Sequence, residues 1–182
     1  EERQAMVTTA LQEFIQSHYR GRLLETVSYL TFGGKQLRGV AAILMCEGAL
    51  GQPQSALVAS CAVELAHAAS LAKDDVADGD QTRRGRPAFW KRFGLELSLL
   101  VPDVIVPHAV LSCQVYGPRA MEAVVSAWAR LAQGQWMDHP SSGFQAAGAQ
   151  IYKRILAHKC APLFQVACEL GVLAAGSSRL AR

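Results

Sequence analysis

Residues 64–94 read ELAHAASLAKDDVADGDQTRRGRPAFWKRFG. An apolar, alanine-rich stretch breaks into Asp74-Asp75-Val76-Ala77-Asp78 and Asp80, then into Arg83-Arg84-Gly85-Arg86-Pro87 and Lys91-Arg92. The spacing predicts a long helix over about 55–77, capped by Ser55, followed by a Gly-, Asp- and Arg-rich loop over 78–87. Upstream, residues 2–31 carry Met6, Ala10, Leu11, Phe14 and Ile15 on one stripe. After a break near Gly21 come Leu23, Leu24, Val27 and Leu30. A helix over 35–50 ends at Gly51 and Pro53. Downstream, helices over 96–116 and 118–138 are separated by Gly117-Pro118, with Pro102 and Pro107 expected to kink or interrupt the first. His139–Gly148 reads as a loop and 149–175 as a last helix, with Gly176-Ser177-Ser178 as its stop and a new cap. No segment alternates with period 2. The expected fold is all-α, a bundle of about seven helices. No repeat, low-complexity tract or linker divides it, so one domain over 1–182 is expected.

Composition bounds what such a bundle can be. Of 182 residues 51% are apolar and 18% charged, against roughly 25% charged in typical proteins. That excludes intrinsic disorder and leaves apolar surface to spare. The net charge of +3 argues against a whole-surface nucleic-acid binder. Phe89 and Trp90 are the only aromatics in the basic run, too few for a stacking platform. No uninterrupted run of 18 apolar residues occurs, so no transmembrane helix is expected. The N-terminus, EERQAM, has the wrong charge for a secretory signal and no initiator Met, which suggests a trimmed or processed chain. Cys46, Cys61, Cys113, Cys160 and Cys168 have no metal-ligand spacing. They read as reduced, buried small hydrophobes of a cytoplasmic protein.

Three clusters carry chemistry. Asp74 and Asp78 share a helix face, with Asp75 beside them. A solvated acidic helix end would explain this plainly. The C-terminal end of a helix, however, disfavours negative charge, and hard carboxylate oxygens there suit Mg²⁺, which shares itself with phosphates. The basic run of 83–92 is a solvated surface on its own. Directly after an acidic motif, its arginine forks match diphosphate oxygens. Gly33-Gly34-Lys35-Gln36-Leu37-Arg38-Gly39 is either a simple turn or an anion-binding helix start, with Lys35 and Arg38 sharing a face if the helix begins at Lys35. It lacks the P-loop pattern. His67 lies two turns before Asp74 and reads as a core histidine or a site residue. Lys159 falls on the stripe of Tyr152, Ile155, Leu156, Leu163 and Val166. Gln135 and Asp138 follow the stripe of Met121, Val125, Trp128 and Ala132. Inward polar groups on separate helices need partners and point to one polar site.

Together these residues resemble the trans-isoprenyl diphosphate synthases, the polyprenyl synthetase family. Residues 64–94 resemble its first aspartate-rich region, FGGKQLRG its GGKxxR motif, GQWMD at 134–138 its GQxxD, and YKRILAHKCAPLFQVACELGVLAAG at 152–176 the segment around its Lys-Thr pair. The resemblance implies an isoprenoid-synthase bundle. Its activity is the Mg²⁺-dependent condensation of isopentenyl diphosphate with an allylic diphosphate to a linear trans-polyprenyl diphosphate. It implies that Asp74, Asp75 and Asp78 hold Mg²⁺, that Arg83 binds the allylic diphosphate, and that Lys35, Arg38, His67 and Arg84 bind isopentenyl diphosphate. Lys159 would face the allylic diphosphate or the developing carbocation, supported by Gln135 and Asp138. Ala69 and Ser70 would floor the elongation tunnel, and as small residues they imply a product of C20 or longer. A homodimer or hetero-complex through 96–138 is implied as well. Lys73 departs from the family's His, Cys160 from its Thr, and Val101-Pro102-Asp103 from Ala-Gly-Asp. After Asp138 there is no Asp, and Glu169 is the one Glu, so the second aspartate-rich motif is missing. That leaves open a chain carrying about two-thirds of a family member, a non-catalytic or half-site subunit, or a terpene cyclase. A cyclase lacks the second diphosphate substrate that GGKxxR and Arg83-Arg84 serve.

Overall fold

The computed structural model describes residues 1–144 and 148–180, and side chains as far as Gly176. Its elements are α1 (Glu2–His18), α2 (Gly21–Thr31), α3 (Leu37–Gly48), α4 (Leu57–Asp78), α5 (Phe89–Phe93), α6 (Leu95–Ser112), α7 (Pro118–Asp138), α8 (Gly148–Lys159) and α9 (Ala161–Leu180). A two-residue hairpin of β1 (Thr82–Arg83) and β2 (Arg86–Pro87) follows α4. The expected all-α architecture is what forms, apart from this hairpin. α4 runs through the middle, against α1, α2, α3, α5, α6, α7 and α9. Its alanines allow this: Ala59, Ala62, Ala66, Ala69 and Ala72 are fully or almost fully buried, so neighbouring helices approach closely.

Several boundaries differ from expectation. Ser55 does not cap α4. It lies in a 3-10 turn, Pro53–Ala56, and its carbonyl accepts the Tyr116 hydroxyl at 2.6 Å. α3 starts at Leu37, two residues late, because Gln36 takes a left-handed conformation (φ 51°). α6 is not interrupted: it runs helical through Pro102 and Pro107. The expected single helix over 149–175 is two, α8 and α9, parted at Cys160. Pro162 has no N–H to donate back into a preceding turn, so it fits only the first turn of a new helix. The stop expected at Gly176 does not occur, since α9 continues to Leu180. The capping expected of Ser177 and Ser178 lies outside the described side chains. Cys46, Cys61 and Cys113 are buried free thiols as expected, but Cys160 is exposed.

Two helical segments, Pro53–Asp78 and Leu95–Tyr116, are long and apolar enough to cross a membrane by length and composition. Counting uninterrupted apolar residues missed both, because it scored single charges and prolines as breaks.

Candidate active site

The hairpin after α4 sets the geometry. Arg83 pairs with Arg86, and the two residues between them, Arg84 (φ 54°) and Gly85 (φ 73°), are both left-handed. That is the two-residue type I′ turn. Gly suits it. Arg84 carries strain of about 1–3 kcal/mol. The turn sends adjacent arginines to different places. Arg83 binds Asp75 through Nε at 2.7 Å and again through Nη2, which also reaches Asp80 at 2.7 Å. Arg84 lies over the Gly33-Gly34 loop and donates to the Phe32 carbonyl at 3.0 Å. A Cβ on Gly34 would stand 3.0 Å from both terminal nitrogens of Arg84, so glycine there makes room for the guanidinium.

Arg84 helps wall a cavity of about 320 Å³ shared with Lys35, Arg38, His67, Glu64 and Gln36. All four residues expected to bind isopentenyl diphosphate therefore meet in one place. The expected shared helix face of Lys35 and Arg38 is not the cause, since Lys35 precedes α3. Arg38 Nε is buried with no hydrogen-bond partner among the described residues. Burial lowers the Arg38 pKa, although Glu64 opposes this. Its guanidinium stacks 4.6 Å from the Phe164 ring. His67 is pushed down to about 3 by burial first, then by Arg38, Arg84 and Arg83, so its imidazole is neutral. Glu64, 6% exposed, accepts the Gly39 N–H at 2.8 Å. Burial raises its pKa against the pull of that bond and of Arg38. Sequence reasoning passed over Glu64 as one more position of an apolar helix. A carboxylate amid such a run was the available signal.

The acidic end is arranged differently from expectation. Asp74 and Asp78 stand one turn apart. Asp74 is raised to about 6 by burial, with Asp78 and Asp75 adding to the rise and Lys159 opposing it. Asp75 does not join them. It is 1% exposed and turned onto Arg83, and among the described residues no three His, Cys, Asp or Glu side chains form a metal cluster. The buried Asp74 carboxyl with Asp78 one turn on fits a divalent cation that takes its remaining oxygens from phosphate. Lys159 closes this end through an ion pair with Asp138 at 2.6 Å. Burial works against the Lys159 charge, but Asp138, Asp74 and Asp78 outweigh it and hold its pKa above the usual lysine value. Gly134 lets the end of α8 come this close: a Cβ there would stand 2.7 Å from the His158 carbonyl carbon and the Lys159 nitrogen. The glycine of the GQWMD motif is thus a contact point between α7 and α8.

Beneath Asp74 lies a mostly apolar cavity of about 330 Å³, lined by Ser70, Lys73, Trp128, Leu131, Gln135 and Trp136 among others. The Gln135 carbonyl oxygen is buried without a partner among the described residues. Ser70 lines this cavity. Ala69 does not; it is fully buried in the core. A one-residue step on a helix turns a side chain by about 100°, so both positions cannot floor one tunnel equally.

Fold and site together define an all-α bundle with a cationic cavity and a separate apolar chamber that reaches Asp74 of the acidic end. The chain belongs to the polyprenyl synthetase family, whose sequence profile matches residues 20–182. It is 32% identical to geranylgeranyl pyrophosphate synthase 7, chloroplastic, of Arabidopsis thaliana, over 94% of this chain and 54% of that protein. It is 31% identical to the heterodimeric geranylgeranyl pyrophosphate synthase large subunit 1 of the same plant, over 95% and 51%. The polyprenyl synthase from Caulobacter crescentus CB15, solved with calcium and isoprenyl diphosphate, superposes with a TM-score of 0.84 at 28% identity, over 94% of this chain and 53% of that one. The chain thus spans about half the length of the curated relatives it matches.

Proposed function

We propose that this chain carries the substrate-binding half of a trans-prenyltransferase that condenses isopentenyl diphosphate with an allylic diphosphate. The convergence of Lys35, Arg38, neutral His67 and Arg84 on one cavity supports this most directly. Arg38 Nε, buried and without a partner among the described residues, is a donor in want of an acceptor. In this reading the cationic cavity takes the diphosphate of isopentenyl diphosphate. Arg83 and Lys159 hold the diphosphate of the allylic substrate at the acidic end. Asp75 keeps Arg83 charged and aimed, a positioning part rather than the metal-ligand part first expected. Mg²⁺ at Asp74 and Asp78 would supply Lewis-acid stabilisation of the departing diphosphate. The apolar chamber takes the growing tail and keeps water from the allylic cation. Gln135 lines that chamber. Ser70, small and cavity-facing, leaves the chamber deep, which favours a linear product of C20 or longer.

We read residues 1–182 as one domain, placed in the cytoplasm, and working as a homodimer or hetero-complex. The apolar face of α6, with Leu95, Leu99, Leu100 and Leu111 half or more exposed, supports association. A second reading, a half-site subunit that works only in a complex, is favoured by the likeness to the large subunit of a heterodimeric synthase. The cationic cavity argues against a cyclase, which has one diphosphate to hold. The test is extension of a short allylic diphosphate by isopentenyl diphosphate and Mg²⁺, alongside calorimetry of inorganic pyrophosphate. The enzyme reading expects prenyl products of C20 or longer. The subunit reading expects Mg²⁺-coupled pyrophosphate binding without turnover. Absence of pyrophosphate binding would overturn both.

A further inference from the structure

We infer that Tyr29 and Arg86 form a clamp that positions Arg83 and Arg84 for their separate sites. The inference rests on the reading of the cationic cavity given above. The hairpin is only two residues per strand, too short to hold its own shape, since even a full isolated hairpin is marginal in water. Its fixed position must come from elsewhere, and the contacts lead to the C-terminal turn of α2. Helix ends leave their last carbonyls without intrahelical donors and carry partial negative charge. Arg86 donates to the Tyr29 carbonyl at 3.0 Å, and Arg84 to the Phe32 carbonyl at 3.0 Å. The Arg86 guanidinium also lies 3.7 Å from the Tyr29 ring centre and 5.0 Å from that of Phe32. The Tyr29 hydroxyl returns a hydrogen bond to the Pro87 carbonyl at 2.7 Å. Tyr29 in turn is wedged edge-on against Phe93, 5.1 Å between ring centres. One side chain therefore grips both the cation and the backbone of β2, while β2 is paired to Arg83.

The clamp fixes where the left-handed turn points. With it in place, Arg83 meets Asp75 and Arg84 meets the Gly34 side of the cavity. Without it, Arg84 is free to leave its strained conformation and the cavity loses one cation. Tyr29 and Arg86 are thus positioning residues: they touch no substrate and act through Arg84.

Two measurements test this on the intact chain. Hydrogen exchange of the segment 81–88 should speed up at least ten-fold in Tyr29→Leu and in Arg86→Ala, and less in Tyr29→Phe, which keeps the ring and loses only the hydroxyl bond. Calorimetry with inorganic pyrophosphate at fixed Mg²⁺ should show roughly ten-fold weaker binding in Tyr29→Leu and in Arg84→Ala. The double variant should be no weaker than Arg84→Ala, whereas a merely structural role would make the losses multiply. Unchanged exchange in all three clamp variants, or multiplying losses, overturns the clamp and leaves the cavity reading intact. Wild-type protein that does not bind pyrophosphate overturns the cavity reading itself, whatever the exchange shows.

Discussion

α4 and α6 are nearly the same kind of helix by composition and have opposite surroundings. With their flanking 3-10 turns their most apolar windows have mean hydropathy 1.4 and 1.5. The α4 window is 72% buried and the α6 window 28%. α4 is apolar because it lies inside the bundle, and beyond Ser60 its polar residues run from Glu64 to Asp78, where several line the cavities. α6 is apolar with much of its surface bare, and its polar residues line neither of the two cavities described above. Equal hydropathy thus reports burial in one helix and an uncovered face in the other. Only the pattern of polar residues tells them apart.

Five variants can break or sharpen that contrast. The largest effect is expected at the polar end of α4. Asp74→Ala should lower the condensation rate by about 10²–10³-fold, as removal of one electrostatic stabiliser does elsewhere. Calorimetry should also show pyrophosphate binding no longer strengthened by Mg²⁺. Intact coupling would remove Asp74 from the metal site. Next come neighbours within α4. Ala69→Phe overfills the core and should cost about 1–3 kcal/mol in thermal unfolding. Ser70→Phe should instead leave stability closer to wild type and shorten the product towards C15. A shortened product from Ala69→Phe with little loss of stability would reverse the assignment of the two positions. On α6, Leu99→Glu with Leu100→Glu should weaken self-association by at least about 30-fold, equal to about 2 kcal/mol, read by light scattering. The melting temperature of the monomer should barely move. A wild-type chain that is already monomeric at micromolar concentration would contradict the association reading. The smallest effect is expected where the two helices meet. Lys73 reaches Asp103 of α6 at 3.0 Å and lies 5.8 Å from the Trp128 ring centre. Both charged partners are well exposed, so Lys73→Ala should cost under about 1 kcal/mol, and less in high salt.

The helical class and the site's membership were legible because both depend on spacing within one helix or one short motif. Asp74, Asp78 and His67 share a face of α4 by arithmetic alone. Where Asp75 points depends on a loop that folds back eight residues later, and no helical period contains that. The left-handed Gln36, which delays α3, answers to Thr8 of α1, whose hydroxyl donates to its side-chain oxygen at 2.7 Å. Tyr29 was invisible as a site residue because its partner lies 57 positions away. The break at Cys160 was legible in principle, since Pro162 marks it. The apolar stripe running through Lys159 masked it.

The turn at Arg84-Gly85 has a consequence for how this sequence tolerates change. Glycine or asparagine would sit more easily than arginine at the left-handed position 84. Selection for heat resistance alone would therefore drift towards Arg84→Gly, a variant that folds better and has lost a cation of its cavity. Stability and activity pull this one codon in opposite directions. A library screened only for survival on heating should be enriched there in proteins that no longer bind pyrophosphate tightly.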